Sequence, residues 1–315
     1  MNGPAPDRFR DPALVDFGLD SRGRGRRLER LGGLLVDRPL PQARVRHASP
    51  EAWRGTGAVF HEAEAPTGRP PAPGTAPGRW EFRTAVPSPW RIEVPLAPRT
   101  ISLEVRPAAS GQVGVFLEQV EQWRWLARAA LPGMRVLSLF GHSGAATLAL
   151  AAAGAEVVHV DASRQAIALA RRNAAASGLD DRPIRWLCED AATFVTREAR
   201  RGSTYAGVVL DPPSWGHGPR GQPFAIDADL VPLVHATVGL LTPAAAPGPI
   251  LLTCHSPGWN HARLRATLAE AFAADGRPAP ALESGPLTCR DDTGRDLELG
   301  SFARGPTGGP AEAGP

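Results

Sequence analysis

The sequence contains no lysine, so all 35 of its basic residues are arginines. The formal net charge is +3, and arginine binds phosphate bidentately and stacks on bases, which favours a nucleic-acid surface. An excess of Arg, Ala, Gly and Pro without Lys is also typical of a GC-rich genome, and we favour that origin for the composition as a whole. Only local clusters then carry a functional signal. The main one, RGRGRR at residues 22–27, either contacts RNA phosphate or forms a solvated loop.

Cysteine is scarce, with three residues in the chain. Cys188, Cys254 and Cys289 are widely spaced and form no CxxC pair, which argues against a zinc site or a disulfide framework. No apolar run approaches the length of a membrane span, and the N-terminal residues lack a signal-peptide pattern. We therefore expect no bound metal and no membrane partner, and a cytoplasmic protein with reduced thiols.

Glycine and proline are abundant, with 34 and 33 residues, and their clusters divide the chain. Residues 1–12 and 303–315 lack periodicity and are predicted to be disordered tails. Residues 13–105 contain short alternating segments and predict a β-rich accessory region for substrate recognition, interrupted by a flexible insertion at 66–78. Strands in this region are predicted at 34–36, 80–82, 90–94 and 101–105. Residues 106–302 form the main predicted domain.

The main domain alternates between helical and strand patterns. Helices are predicted at about 117–130, 145–153, 163–176, 191–200, 227–241 and 260–274, and strands at about 135–139, 156–160, 184–187, 206–210 and 249–253. Such alternation implies right-handed crossovers and an α/β fold with a doubly wound, mostly parallel sheet. Two further strands, at 281–289 and 296–302, form a closing hairpin that adds an antiparallel strand at or near one edge.

Polar residues follow the first three strands of this domain, where the carboxyl ends of parallel strands meet. Gly141 and Gly144 permit close approach of the backbone to a ligand, and the next helix offers free N–H groups. Asp161 can accept both hydroxyls of a ribose. Asp190 can accept a hydrogen bond from an adenine amino group, beside the N–H of Ala191. Either acid can instead be a helix cap. The loop lacks the GxGxxG spacing, which weakens a nicotinamide-binding interpretation.

The fourth strand ends in Asp211, Pro212 and Pro213, a turn whose proline rings restrict the backbone. The Asp211 carboxylate and the backbone carbonyls of the turn can orient an amino group for methylation. Trp215 follows and either stacks on a base, a contact worth about 1–3 kcal/mol, or packs on the core.

These motifs together resemble the class I S-adenosylmethionine-dependent methyltransferases, and among them the bacterial large-subunit rRNA cytosine-C5 and guanine-N7 enzymes. The matching segments are 114–119, 136–140 with 143–144, 160–163, 170–173, 189–190 and 210–214. The resemblance implies a Rossmann-like seven-stranded sheet and S-adenosylmethionine as cofactor. It also implies a cofactor-binding set of Phe116, Gln119, Phe140, Gly141, Ser143, Gly144, Asp161, Ala162, Ser163, Asp190, Ala191 and Asp211. In that set residues 140–144 wrap the methionine end, and Asp211 lies beside the methyl group.

The sequence departs from this family at several positions. Val120 stands where many relatives have arginine, and no RNA-binding module is recognisable in residues 1–50. The cytosine-C5 enzymes carry a nucleophilic cysteine at the position of Ser256, whereas Cys254 lies two residues earlier. A C5-pyrimidine methylase needs a thiolate, but we favour Cys254 as a buried small hydrophobe. His255 and His142 are either proton acceptors at the pocket rim or structural.

We therefore expect an S-adenosylmethionine-dependent methyltransferase that acts on RNA, with rRNA as the substrate and Asp211, Pro212, Pro213 and Trp215 as its catalytic residues. A methyltransferase acting on a protein or a small molecule is the alternative enzyme. A non-catalytic adenosyl-binding subunit is the alternative from another class. The sequence leaves the methylated atom and the oligomeric state open.

Overall fold

The computed structural model describes residues 13–63, 78–97, 99–242 and 248–306. They form two compact units. The first comprises the described parts of Met1–Val94, Ser102–Leu117 and Thr288–Leu297, and the second those of Pro95–Ile101, Glu118–Leu287 and Glu298–Pro315. The predicted tail at 1–12 and nearly all of the predicted insertion at 66–78 lie outside the described residues.

The first unit contains a five-stranded sheet in the order β1-β2-β3-β4-β5. Its strands are β1 (Ala13–Leu19), β2 (Gly25–Leu31), β3 (Leu34–Pro39), β4 (Ala58–Glu62) and β5 (Gly78–Phe82). Neighbours are antiparallel except β3 and β4, which are parallel. A 3-10 helix, Pro50–Gly55, precedes β4, and two further strands, β6 (Arg91–Pro95) and β7 (Thr100–Glu104), pair with each other. The β-rich character expected for this region is confirmed.

Strands β1 and β2 were not predicted from the sequence, and buried charged residues explain why. Asp16 and Glu29 are buried within them, which breaks the alternation of apolar and polar residues. Arg38 forms a two-pronged ion pair with Glu29, with contacts of 2.5 and 3.0 Å. Arg26 donates to Asp37 at 2.7 Å and to the carbonyl of Phe60 at 2.9 Å. The cluster at 22–27 is therefore not one solvated loop, because its last residues are buried in the sheet.

The second unit is built on a seven-stranded sheet in the order β10-β9-β8-β11-β14-β16-β15. Its strands are β8 (Arg135–Leu139), β9 (Glu156–Asp161), β10 (Ile184–Cys188), β11 (Gly207–Leu210), β14 (Ile250–Cys254), β15 (Glu283–Arg290) and β16 (Asp296–Gly305). Strands β8 to β11 and β14 are parallel, and β16 is antiparallel to β14. The predicted doubly wound, mostly parallel sheet with an antiparallel strand at its C-terminal end is confirmed.

Six helices accompany this sheet in the described part of the chain. They are α1 (Val120–Ala129), α2 (Ala145–Ala152), α3 (Arg164–Ala176), α4 (Ala191–Arg200), α5 (Ile226–Val238) and α6 (His261–Ala274), and a 3-10 turn, Leu117–Gln119, precedes α1. Helix α2 is apolar nearly all round and almost wholly buried, as expected for a helix covered on every side. All six helices were predicted to within three residues of their observed bounds.

One boundary and one missed hairpin differ from what the sequence predicts. Strand β16 continues through Gly305 and pairs with β14 from Ile250↔Gly305 to Cys254↔Ser301. The predicted tail at 303–315 therefore begins too early, because buried Ala303 belongs to the core, and residues 307–315 lie outside the described part. A hairpin of β12 (Trp215–His217) and β13 (Pro223–Ala225) was missed, since three-residue strands show no alternation.

The strand order places a topological switch at β8. The chain passes from β8 to β9 and β10 on one side, then returns to β11 and β14 on the other. Loops at the carboxyl ends of β8 and β11 therefore diverge, and a crevice opens between them, where open α/β sheets bind ligands.

Candidate active site at the carboxyl edge of the sheet

The loop after β8 is held in an unusual backbone conformation. Phe140, His142 and Gly144 have φ angles of 55°, 43° and 84°, in the left-handed region that L-residues rarely adopt. A Cβ on Gly141 would lie 2.3 Å from the ring of His159, and one on Gly144 would lie 2.9 Å from the Cβ of Ala170. Glycine is thus required because the loop packs closely on its own protein, a reason different from the ligand approach inferred from sequence.

Asp161 joins this loop to the next helix. One carboxylate oxygen accepts the N–H of His142 at 2.9 Å, and the other accepts the N–H of Ser163 at 2.8 Å. The cap of α3 is Ser163, whose Oγ accepts the N–H of Ala166 at 3.2 Å. The alternative of Asp161 as a helix cap is therefore wrong. Because each carboxylate oxygen has two lone pairs, Asp161 keeps acceptor capacity for a ligand.

Buried side chains fix the same loop from beneath. Asn173, fully buried on α3, donates from Nδ2 to the carbonyl of Ser143 at 2.8 Å. His159 lies below Gly141 and contacts Thr147 Oγ1 through Nδ1 at 2.8 Å. Burial lowers the pKa of His159 to about 3, with a smaller contribution from the charge of His142. The ring is therefore neutral at physiological pH, a role that sequence analysis did not anticipate.

Asp190 is the N-cap of α4, with Oδ1 accepting the N–H of Thr193 at 2.8 Å. The helix-cap alternative for this acid is therefore realised. Its Oδ2 has no hydrogen-bond donor among the residues the structure describes, and Ala191 supplies one of the first N–H groups of the helix, which lack intrahelical acceptors. A cap on one oxygen thus leaves the other available to a ligand. The turn of the β12–β13 hairpin lies close to this residue, because a Cβ on Gly218 would be 3.1 Å from the Cβ of Asp190.

Asp211 follows β11 on the other side of the switch and is half-buried. Its Oδ1 accepts hydrogen bonds from Thr253 Oγ1 at 2.5 Å and from Gln119 Nε2 at 3.2 Å. The structure thus brings Gln119 to Asp211 across 92 positions of sequence. Phe116, expected beside Gln119, belongs to the first unit and is half-buried there.

His255 stands beside Asp211 at the end of β14. Its Nε2 lies 3.0 Å from Oε1 of Glu118, which is buried, and its Nδ1 lies 3.8 Å from Oδ1 of Asp211. His255 was a candidate from sequence, but Glu118 was not, because 137 positions separate the pair. No local pattern could have linked them.

Cys254, the last residue of β14, is 1% exposed. Its Sγ accepts the N–H of Ser256 at 3.3 Å, and burial raises the pKa of the thiol. Ser256, which occupies the family's nucleophile position, is also buried and shares a 2.6 Å hydrogen bond with Ser214. These surroundings are those of packed, hydrogen-bonded residues.

The hairpin of β12 and β13 presents Trp215 to solvent. Its side chain is 62% exposed and makes an edge contact with His217 at 4.2 Å between ring centroids. Pro212 is buried and Pro213 is exposed. Phe224 on β13 packs on Phe140 of the loop after β8, with centroids 5.2 Å apart. The hairpin is therefore anchored to the loop that follows β8.

The described residues contain no group of three or more His, Cys, Asp or Glu side chains arranged to hold a metal ion. None of their helices combines the length and the apolar character that crossing a bilayer requires.

Residues 119–217 match a family described as conserved hypothetical protein 95. Ribosomal RNA large subunit methyltransferase I of Aeromonas hydrophila is 30% identical over 174 residues, which are 55% of this chain and 42% of that protein. Ribosomal RNA large subunit methyltransferase K/L of Shewanella baltica is 32% identical over 132 residues, 41% of this chain and 18% of the relative. The chain thus spans less than half the length of these curated relatives.

A solved structure matches nearly the whole chain. The SAM-dependent methyltransferase from Agrobacterium tumefaciens is 34% identical, superposes with a TM-score of 0.79, and aligns over 94% of this chain and 90% of its own. The acceptor capacity left on Asp161 and Asp190 also fits the donors of an adenosyl group, namely two ribose hydroxyls and one amino group. The resemblance seen in the sequence motifs is confirmed, and the chain belongs to the S-adenosylmethionine-dependent methyltransferases.

Proposed function

We propose that the cofactor lies across the carboxyl ends of β8, β9 and β10. Asp161 accepts the ribose hydroxyls with Ala162 and Ser163 beside it, and Asp190 accepts the adenine amino group while Ala191 donates to the ring. The loop after β8 surrounds the methionine end. Phe140, Gly141, Ser143 and Gly144 are its proposed contacts, and Gln119 and Asp211 complete the set within the second unit.

S-adenosylmethionine supplies a methyl group already activated on a sulfonium, so the protein has mainly to position the acceptor and exclude water. We propose that Asp211 does the positioning. Thr253 and Gln119 hold its Oδ1 in place. Among the described residues no donor reaches its Oδ2, which can accept a hydrogen bond from the acceptor. Pro212 and Pro213 restrict the turn that carries this carboxylate.

We propose that the acceptor is a base of RNA, with rRNA as the substrate. Trp215 is the observation that carries this proposal. An indole 62% exposed, on a hairpin next to Asp211, offers a stacking surface that suits any nucleobase. The names of the curated relatives support rRNA, and an rRNA substrate places the enzyme in the cytoplasm, where ribosomal subunits are made.

The first unit is the proposed substrate-recognition region, within residues 13–105. It contains a cavity of about 430 Å³ lined by Arg22, Arg24, Arg26 and Arg83 together with Trp53. Guanidinium groups beside an indole are a combination that binds phosphate and stacks on bases. The cavity also contains Asp20 and Asp37, so we expect it to recognise a defined RNA feature rather than any polyanion.

The test is methyl transfer from labelled S-adenosylmethionine to protein-free large-subunit rRNA transcribed in vitro, followed by nucleoside mass spectrometry. We expect one methylated nucleoside, and a Trp215→Ala variant with a raised KM for RNA and unchanged cofactor affinity. Small-subunit rRNA and a protein extract serve as parallel acceptors. Methylation of the extract alone would replace RNA by a protein or small-molecule acceptor, and the absence of transfer to any acceptor would favour a binding subunit.

A further inference from the structure

The β12–β13 hairpin has few contacts of its own. Its strands have three residues each and pair from Trp215↔Ala225 to His217↔Pro223, separately from the seven-stranded sheet. An isolated two-stranded hairpin is only marginally stable in water. The position of this hairpin therefore depends on the parts of the second unit against which it packs.

Two contacts place the hairpin against the cofactor half of the site. Phe224 on β13 is buried, and its ring packs on that of Phe140 with centroids 5.2 Å apart. Gly218 at the turn is also buried, and a Cβ there would lie 3.1 Å from the Cβ of Asp190. Phe140 belongs to the loop proposed to surround the methionine end, and Asp190 is the proposed adenine acceptor. The hairpin thus packs against residues from both proposed ends of the cofactor site.

The base of the same hairpin is joined to the acceptor half. The carbonyl of Ser214 accepts the N–H of Ile226 at 3.1 Å, and its Oγ shares a 2.6 Å hydrogen bond with Ser256, which follows β14. Trp215, the next residue along the chain, is 62% exposed. A base stacked on Trp215 and a cofactor in the adjoining half of the crevice therefore meet one and the same hairpin.

We propose that the hairpin is a wall shared by the cofactor and acceptor sites, with Gly218 and Phe224 as positioning residues on the cofactor side. The inference rests on the proposed cofactor placement and on the proposed stacking of a base on Trp215. Both ligands favour the packed position of the hairpin, so each tightens the binding of the other by the same factor, commonly about 5- to 150-fold. The enzyme thereby retains its cofactor most tightly when an acceptor is bound.

Gly218 offers a way to move the hairpin without removing a proposed ligand contact. Neither Gly218 nor Gly216 has a φ angle in the left-handed region, so alanine is compatible with the φ angle at both positions. At Gly218 the added methyl would meet the Cβ of Asp190 at 3.1 Å, so the turn must shift away from α4. Gly216→Ala is the matched control on the same hairpin, because a Cβ there would lie 3.5 Å from Pro213, an ordinary contact distance.

The test is equilibrium dialysis with tritiated S-adenosylhomocysteine, the demethylated cofactor, which binds without reacting. Each protein is measured alone and with saturating large-subunit rRNA transcribed in vitro. We expect the wild type and Gly216→Ala to bind at least about fivefold more tightly with RNA. Gly218→Ala should bind S-adenosylhomocysteine more weakly without RNA and should gain less from RNA. Equal wild-type affinities with and without an rRNA that is shown to bind by filter retention would overturn the proposal.

A second measurement separates the role of the hairpin from the choice of RNA. Arg220 is exposed at the hairpin turn, so the rate of trypsin cleavage after it, followed by mass spectrometry, reports how firmly the hairpin is held. S-adenosylhomocysteine alone should slow this cleavage in the wild type and Gly216→Ala, and should slow it less in Gly218→Ala. If the rRNA does not bind, the RNA assignment fails, and the cleavage rate decides whether the hairpin is a wall of the cofactor site. Cleavage unaffected by bound S-adenosylhomocysteine would overturn the proposal whatever the acceptor is.

Discussion

The two halves of the sheet edge hold their carboxylates in different ways. On the half formed by β8, β9 and β10, Asp161 and Asp190 accept backbone N–H groups from residues no more than 19 positions away. On the half formed by β11 and β14, Asp211 accepts from the side chains of Gln119 and Thr253. The first half is fixed by the main chain, and the second by an assembly of side chains.

This difference indicates which half of the site can vary in its contacts when side chains are substituted. Backbone amides remain whatever side chains replace their owners, so the cofactor half suits a ligand that is the same throughout a family. The proposed acceptor half depends on the side chains of Gln119, Thr253, His255 and Glu118, and a substitution removes such a contact directly. We infer that acceptor specificity is determined by these side chains.

The largest effect is expected at Asp211. The Asp211→Asn variant keeps the shape of the side chain but loses the charge that orients the acceptor. We expect turnover to fall by about 10²–10³-fold, as when one preorganised polar contact is removed from a reacting group. Cofactor affinity, measured by calorimetry, should stay within about twofold, since the change lies outside the backbone-held half.

The matched control is Asp275→Asn, which removes an exposed aspartate paired with Arg277 at 2.5 Å. It should leave both turnover and cofactor affinity unchanged. An Asp211→Asn enzyme that methylates at the wild-type rate would show that Asp211 is structural, and the contrast between the two halves would lose its functional meaning.

A smaller effect, on binding rather than turnover, is expected at Asp161. Asp161→Ala removes the acceptor proposed for two ribose hydroxyls and also releases the N–H groups of His142 and Ser163. Hydrogen bonds to charged groups contribute about 1.5–3 kcal/mol, so cofactor affinity should fall by about 10- to 150-fold. Calorimetry checks this, with Asp20→Ala in the first unit as the control. An unchanged affinity would reject the ribose role.

The same contrast explains what could be predicted from the sequence. Elements of the second unit were found because apolar runs and helical periodicity are local signals, and Asp161 and Asp190 follow such runs directly. Glu118 and His255 form a pair across 137 positions, and only the fold brings them together. In the first unit, buried Asp16 and Glu29 disguised two strands because charged residues are usually exposed. Sequence patterns failed where a charged residue is buried against a partner on another strand or loop, as Glu29 is by Arg38 and Asp16 by Arg295.

A pH effect is expected from His159 beneath the cofactor half. Its pKa is lowered from 6.5 to about 3 by burial, so the unfolded chain binds the proton more readily. The free energy of unfolding should therefore fall by about 1.4 kcal/mol for each pH unit below 6.5. This loss continues until the pH approaches the folded-state pKa. Urea unfolding at several pH values between 7 and 4 measures it.

In the His159→Gln variant, the free energy of unfolding should depend less steeply on pH, by about 1.4 kcal/mol per pH unit, because one titrating group is removed. This holds whatever the substitution does to stability at neutral pH. Thr147→Val is the matched control. It removes the contact of 2.8 Å to Nδ1 but keeps the imidazole, so the slope should remain. Equal slopes in wild type and His159→Gln would mean that His159 beneath the backbone-held half does not contribute to the pH dependence of stability.

The smallest effect is expected at Cys254, which ends β14 in the side-chain-held half. Covalent catalysis on cytosine C5 would require its thiolate, so Cys254→Ala would abolish activity and RNA containing 5-fluorocytosine would be trapped as an adduct on this residue. The thiol is buried, its pKa is raised by burial, and its sulfur accepts the N–H of Ser256. We therefore expect Cys254→Ala to keep its activity and to lose about 1 kcal/mol of stability from the lost side-chain volume. Cys188→Ala, at an exposed cysteine, is the control for the loss of a thiol. A trapped adduct at Cys254 would instead fix the target base and atom, and would place the nucleophile in the side-chain-held half.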